Sequence, residues 1–265
     1  FSEVIMAWWG KLVGGTFGFM MGGPLGALMG VALGDLIAGN RTSRGHNDQL
    51  GFGSAERVQS AFFTATFSIM GFVAKADGKV TQDEIQMAEQ VIRQMNLGKH
   101  QRTIAINLFN EGKKPDFPVQ DILYQFKREC VRRKTLLQMF LEILISTALA
   151  DGELHKSEKN ILENIAHDLG FEKYQFDSLL SRLEGFSNFE SGSPGPKKLA
   201  AAYELLGVSE GTSDQELKKV YRKQMNQHHP DKLIAKGLPD EMIEIATQKT
   251  QDIKAAYELI KKARS

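Results

Sequence analysis

The chain has 265 residues, with 33 Lys and Arg against 32 Asp and Glu and a formal net charge of +1 at pH 7. That length allows more than one compact unit, and the even balance excludes the strongly basic composition of a general nucleic-acid binder. The single cysteine, Cys130, excludes an internal disulfide, fits a reducing compartment, and sits in a Lys/Arg-rich helical stretch with no base partner, so it reads as structural.

Residues 1–39 are apolar and rich in glycine. No charge occurs from Leu12 to Leu33, 22 residues that reach roughly 33 Å as a helix, enough to cross a hydrocarbon core. Trp8 and Trp9 precede the span as interfacial aromatics would; Lys11 flanks one side and Arg41, Arg44 and Arg57 the other. The positive excess places the C-terminal side in the cytoplasm. A cleaved signal peptide would have a shorter apolar core, and a soluble glycine-rich hairpin fits less well. Gly10, Gly14, Gly18, Gly22, Gly26, Gly30 and Gly34 recur every fourth residue. On a helix they form one smooth groove into which a second helix can pack closely, so a parallel homodimer through this segment is expected. Pro24 is expected to kink the helix without ending it.

Residues 40–56, NRTSRGHNDQLGFGSAE, read as a linker. Residues 57–184 carry apolar residues at helical spacing with few prolines and read as an all-helical domain. It contains a weak internal repeat, AKADGKVTQDE at 74–84 and ALADGELHKSE at 148–158, each between two apolar helical runs. The unit is helix, Asp-Gly turn, helix. Gly78 with Glu84, and Gly152 with Glu158, match the glycine and the final glutamate of a calcium loop. The remaining ligand positions fall on Val73, Lys75, Thr147 and Leu149, which lack carboxylates, so no metal is assigned. The capping pair Thr81 and Glu84 accounts for the pattern without an ion. This paired-turn pattern resembles the TerB-like family of helical bundles, some of which are proposed to bind metal. The run Arg128, Arg132, Arg133, Lys134 reads as a solvated face, with contact to anionic headgroups as an alternative.

Residues 185–197, GFSNFESGSPGPK, read as a second linker. From Lys198 on, three helices are expected. The first carries Leu199, Tyr203 and Leu206 on one face and ends at Gly207. The second starts at a capping box, Ser213 to Glu216, and stops at Pro230. A loop, DKLIAKGLPD, leads to the third, where Ile243, Ile253, Tyr257 and Ile260 can pack on the second.

The pattern YRKQMNQHHPDK ending a basic helix, followed by KAAYELI, resembles the J-domain of the DnaJ family. Together with the apolar span and the TerB-like middle, it resembles a membrane-anchored member of that family over nearly the whole chain. The resemblance implies that His229, Pro230 and Asp231, with Tyr221, Arg222 and Lys223 and the extension Lys218 and Lys219, engage a DnaK-type 70-kDa chaperone. It implies an allosteric ligand that stimulates the partner's ATPase, not an enzyme, with no cofactor and no nucleic acid. It also implies a bacterial inner-membrane location with one span and the bulk of the chain in the cytoplasm. Gln224, His228 and Thr250 depart from the family pattern of Leu, Tyr and Phe, so looser packing under the second helix is expected. The zinc-binding cysteines and Gly/Phe-rich segment of full-length DnaJ are absent, which makes client binding doubtful.

The expected fold is thus all-α: a transmembrane helix over 1–39, a TerB-like bundle over 57–184 and a J-domain hairpin over 198–265. The rival function is an adaptor whose central domain senses a ligand or metal at the membrane.

Overall fold

The uncharged run from Val58 to Val73 forms the helix around which the rest is built. A computed structural model describes residues 22–38, 54–75, 97–149, 154–191 and 195–264. The described residues form α1 (Gly23–Ala38), α2 (Ser54–Ala74), α3 (Lys99–Gly112), α4 (Val119–Glu129), α5 (Lys134–Ala148), α6 (Lys156–Leu169), α7 (Lys173–Ser191), α8 (Pro196–Leu206), α9 (Asp214–His228), α10 (Pro230–Ala235) and α11 (Ile243–Arg264), with a 3-10 turn at Asp240–Met242. No strand occurs among them, as the absence of any period-2 pattern requires.

Helix α2 is buried on nearly every side, between α1, α3, α4, α5 and α6. Two of its buried hydroxyls return their hydrogen bonds to the preceding turn, whereas those of Ser60 and Thr64 have no partner among the described residues. Thr66 Oγ1 donates to the Phe62 carbonyl and Ser68 Oγ to that of Thr64, both at 2.7 Å. Phe62, Phe126 and Phe140 join α2, α4 and α5 in an aromatic cluster, with centroids 4.6 to 6.2 Å apart in tilted or edge-on contact. Cys130 is buried beside this core, and burial pushes its thiol up to about 12, which suits a structural role.

Helix α1 lies on the same bundle through Leu25, Met29, Ala32 and Leu33, spaced to fall on one face. Gln125 clasps its start: the side-chain amide donates to the Gly22 carbonyl and accepts from the Leu25 N–H, each at 2.9 Å. Residues 12–21 of the expected span lie outside the described residues. Gly22 and Gly23 have φ of +59 and +66, so α1 begins here and does not continue helically through Gly22 with a kink at Pro24. Among the described residues no helix is long and apolar enough to cross a membrane.

The second copy of the repeat folds as expected where it is described: α5, then α6 with Glu158 accepting from the His155 N–H at 3.1 Å. Residues 76–96 and 150–153, which hold both Asp-Gly turns, lie outside the described residues.

Two differences from the sequence reading concern the boundaries. The linker expected at 185–197 is mostly helix, because α7 continues to Ser191. The reason is burial: Phe186 and Phe189 are covered, and Gly185 lets α8 approach, since a Cβ there would stand 2.6 Å from the Leu205 nitrogen. The loop expected after Pro230 starts as α10, with Pro230 in the first turn where its fixed φ suits a helix.

Gly71 on α2 and Gly112 on α3 face each other's helices: added Cβ atoms would run into the carbonyls of Phe109 and Ser68. Alanine at Gly112 would gain about 1 kcal/mol of helix propensity. A clash with backbone cannot relax as a side chain can, so overpacking prevails, and Gly112→Ala is expected to lower stability by about 1–3 kcal/mol in urea titration.

Candidate functional site

The C-terminal unit is a hairpin of α9 and α11 braced by α8. Ser213 caps α9, its hydroxyl accepting from the Glu216 N–H at 3.2 Å. Arg264, at the far end of α11, ties this cap down. Its guanidinium donates to the carbonyls of Thr212 and Glu210, to Asp214 Oδ1 and to Tyr203 Oη, at 2.7 to 3.0 Å. Further along, Tyr221 and Tyr257 stack with centroids 4.2 Å apart and planes at 13°, and Leu217, Ile253, Ala256 and Ile260 are buried.

The outer face of α9 is basic. Lys218, Lys219, Arg222 and Lys223 are all exposed and Tyr221 is half-buried. Lys219 makes a 3.3 Å contact with Glu216 within the same helix, and nothing buries the row. At the end of the row stands the turn. His229 closes α9 and opens α10, with φ −59 and ψ 123. The Lys232 and Leu233 N–H groups both donate to its carbonyl, at 3.1 Å. The His229 side chain is 47% exposed and that of Asp231 85%, with His229 Nδ1 3.9 Å from Asp231 Oδ2. Lys232 reaches back to Asn226. Of the eight residues singled out in this unit, Lys218, Lys219, Arg222, Lys223, His229 and Asp231 are exposed, and Tyr221 and Pro230 are half-buried. Among the glycines, Gly10, Gly14 and Gly18 lie outside the described residues, Gly22 precedes α1, Gly26 is buried and Gly30 exposed.

The inner face of α9 is where the sequence reading falls short. Gln224, expected to loosen the packing, is 4% exposed, and its amide donates to the Leu206 carbonyl at 2.7 Å, closing the end of α8. His228 is 2% exposed. Its Nδ1 faces the Gln224 carbonyl at 3.0 Å, and its Nε2 faces Glu142 of α5 at 3.0 and 3.1 Å. Lys249 of α11 reaches the same carboxylate at 2.5 Å. Thr250 turns its hydroxyl to the Thr247 carbonyl.

Glu142 was not selected from sequence, although a signal was present. It is the one charge in LLQMFLEILISTALA, and a buried charge in a core helix demands partners. Burial opposes its ionisation, but Lys249 and His228 hold its carboxyl well below the ordinary range. Burial also lowers the Lys249 ammonium against the pull of Glu142. One turn on, burial and the charge of Glu190 push Asp252 up to about 6. Among the described residues no group of three or more His, Cys, Asp or Glu could hold a metal.

Comparison with known proteins adds three family models: "Co-chaperone DjlA transmembrane domain" over residues 6–41, "Tellurite resistance protein TerB" over 63–181 and "DnaJ domain" over 201–265. The chain is similar to the co-chaperone protein DjlA of Shewanella oneidensis, 47% identical over 98% of this chain and 99% of the relative. It is 44% identical to that of Photobacterium profundum, over 96% and 98%, and 41% identical to that of Photorhabdus laumondii, over 97% and 98%. No solved structure matches it.

Asp252 provides a pH test. A carboxyl raised in the folded state contributes stability below its ordinary value of 3.8, and the contribution is lost as pH rises through about 6. Asp252→Asn should therefore raise the melting temperature above about pH 7 and leave it unchanged below about pH 4, in a thermal series across pH.

Proposed function

The chain belongs to the DjlA family of J-domain co-chaperones, and on that premise we propose that it docks on a DnaK-type 70-kDa chaperone and stimulates its ATPase from the membrane. The observation that carries this reading is the placement of His229, Pro230 and Asp231 at an exposed corner continuous with the exposed basic row of α9. Four like charges on one face suit an acidic partner surface, and such complementarity speeds encounter and fixes orientation more than it adds affinity.

In this reading the unit contributes no group to the reacting phosphate. It acts as a ligand that binds the hydrolysis-competent state of the chaperone better than the other and shifts the population. Lys218, Lys219, Arg222 and Lys223 steer and align, Tyr221 stiffens the row by its stack on Tyr257, and the His229-Pro230-Asp231 turn makes the contact that differs between chaperone states. The DjlA-type transmembrane domain at the N-terminus anchors the chain. We place it in the bacterial inner membrane with the J-domain in the cytoplasm, on the flanking Arg41, Arg44 and Arg57.

Single-turnover ATP hydrolysis by a DnaK-type chaperone should rise with the wild-type chain. His229→Gln should remove that rise without changing the melting temperature, because the side chain is at the surface; equal stimulation by both chains would refute the reading. The homodimer is a separate proposal resting on the glycine row. Replacing Gly10, Gly14 and Gly18 together by leucine should abolish self-association in membranes, and retained association would remove the row from the interface.

A further inference from the structure

The hairpin of α9 and α11 has two unlike halves. Away from the turn its interior is apolar: Leu217, Tyr221, Ile253, Ala256, Tyr257 and Ile260. Near the turn Leu233, Leu238, Met242 and Ala246 are joined inside by three polar residues, Gln224, His228 and Lys249, all at least nine-tenths buried. Apolar packing at the tip cannot satisfy these polar groups, which need hydrogen-bond partners of their own.

The partner comes from the other domain. Glu142 of α5 is 1% exposed. Its carboxylate accepts from His228 Nε2 at 3.0 Å, from Lys249 Nζ at 2.5 Å and from Gln138 Nε2 at 2.8 Å. It thus grips both arms of the hairpin at once, and His228 is the residue directly before His229. Lys249 lies over the Phe186 ring of α7, 5.3 Å from its centroid, which closes the site to water on that side. Peripheral contacts repeat the pattern around the turn. Lys236 Nζ donates to Thr135 Oγ1 at 2.8 Å, Gln101 Nε2 donates to Glu241 Oε1 at 2.8 Å, and Gly237 rests on Val58. All of these lie on the side of the hairpin away from the basic row, which stays exposed.

We propose that Glu142 is a positioning residue for the His229-Pro230-Asp231 turn: the central helical domain completes the polar interior of the hairpin and holds the turn in its chaperone-binding form. The unit that engages the chaperone is then the two domains together. Without Glu142, Lys249 and His228 are left buried and unpaired, so the hairpin tip leaves the bundle to solvate them. The turn then visits its binding form for only part of the time, and apparent affinity falls by that fraction. Once bound, the ligand presented to the chaperone is the same, so the maximal rate is preserved.

The proposal rests on the co-chaperone reading for its functional half, and the two can fail separately. In the full-length chain, Glu142→Gln is expected to raise the co-chaperone concentration for half-maximal single-turnover stimulation by about fivefold or more, with the maximal rate within about twofold. Hydrogen exchange of the amides over residues 228–235 should quicken by about tenfold, while that of α2 stays unchanged. A triple variant, Glu142→Leu with His228→Phe and Lys249→Met, replaces the charges by packed hydrocarbon and should restore both readouts. Lys236→Ala, which loses only a peripheral contact and leaves both cores intact, should shift both in the same direction by about twofold.

Unchanged exchange at 228–235 in Glu142→Gln and Lys236→Ala would overturn the proposal. So would faster exchange with an unaltered concentration dependence, because the hold would then be structural only. If the wild-type chain itself fails to stimulate, the co-chaperone reading falls, and the exchange data still decide whether Glu142 holds the turn.

Discussion

A single buried carboxylate joins both arms of the C-terminal hairpin to the central domain. Glu142 lies inside a helix whose other positions are apolar, so its charge must be answered locally, and the described structure answers it with a histidine and a lysine from the C-terminal hairpin. A buried ion pair seldom adds much net stability, because desolvation consumes the Coulombic gain. What it supplies is register. Only one docking of the hairpin brings His228 and Lys249 to the same carboxylate, and any slip leaves charges buried and bare.

That register explains why α9 can serve two surfaces. A helix presents one stripe every three to four residues. Leu217, Gln224 and His228 fall on the stripe facing inward, while Lys218, Lys219, Arg222 and Lys223 fall outward. The three departures from the J-domain pattern all lie within the hairpin, and none touches the outward row. Gln224 closes the end of α8, His228 meets Glu142, and Thr250 satisfies itself on its own helix. Of the three, His228 becomes a contact residue once the central domain is present.

The bundle is built by the same economy. Helix α2 is so fully enclosed that the Thr66 and Ser68 hydroxyls bond to their own backbone, and two glycines replace side chains where α2 and α3 cross. The α7–α8 junction uses Gly185 for the same purpose. Helix α1 adds an apolar stripe through Leu25, Met29, Ala32 and Leu33, with its start clasped by Gln125. The C-terminal part of the DjlA-type transmembrane domain thereby reaches the body that carries the J-domain.

The helical class, the repeat, the three-part order and the outward basic row ending in His229, Pro230 and Asp231 were legible in the residues. Each is written locally, in the spacing of apolar positions, in a cap such as Ser213, or in a tripeptide at the end of a charged helix. The boundary near 190 was misread because Gly and Ser signal a break only when nothing nearby buries their neighbours, and Phe186 and Phe189 are buried. The role of Glu142 was beyond local reading for a related reason. Its isolation in an apolar run announces that a partner exists, but the partners lie 86 and 107 residues away. Sequence determined which groups need satisfying; only the tertiary structure decided which ones satisfy each other, because buried charges are paired by distance in space and not along the chain.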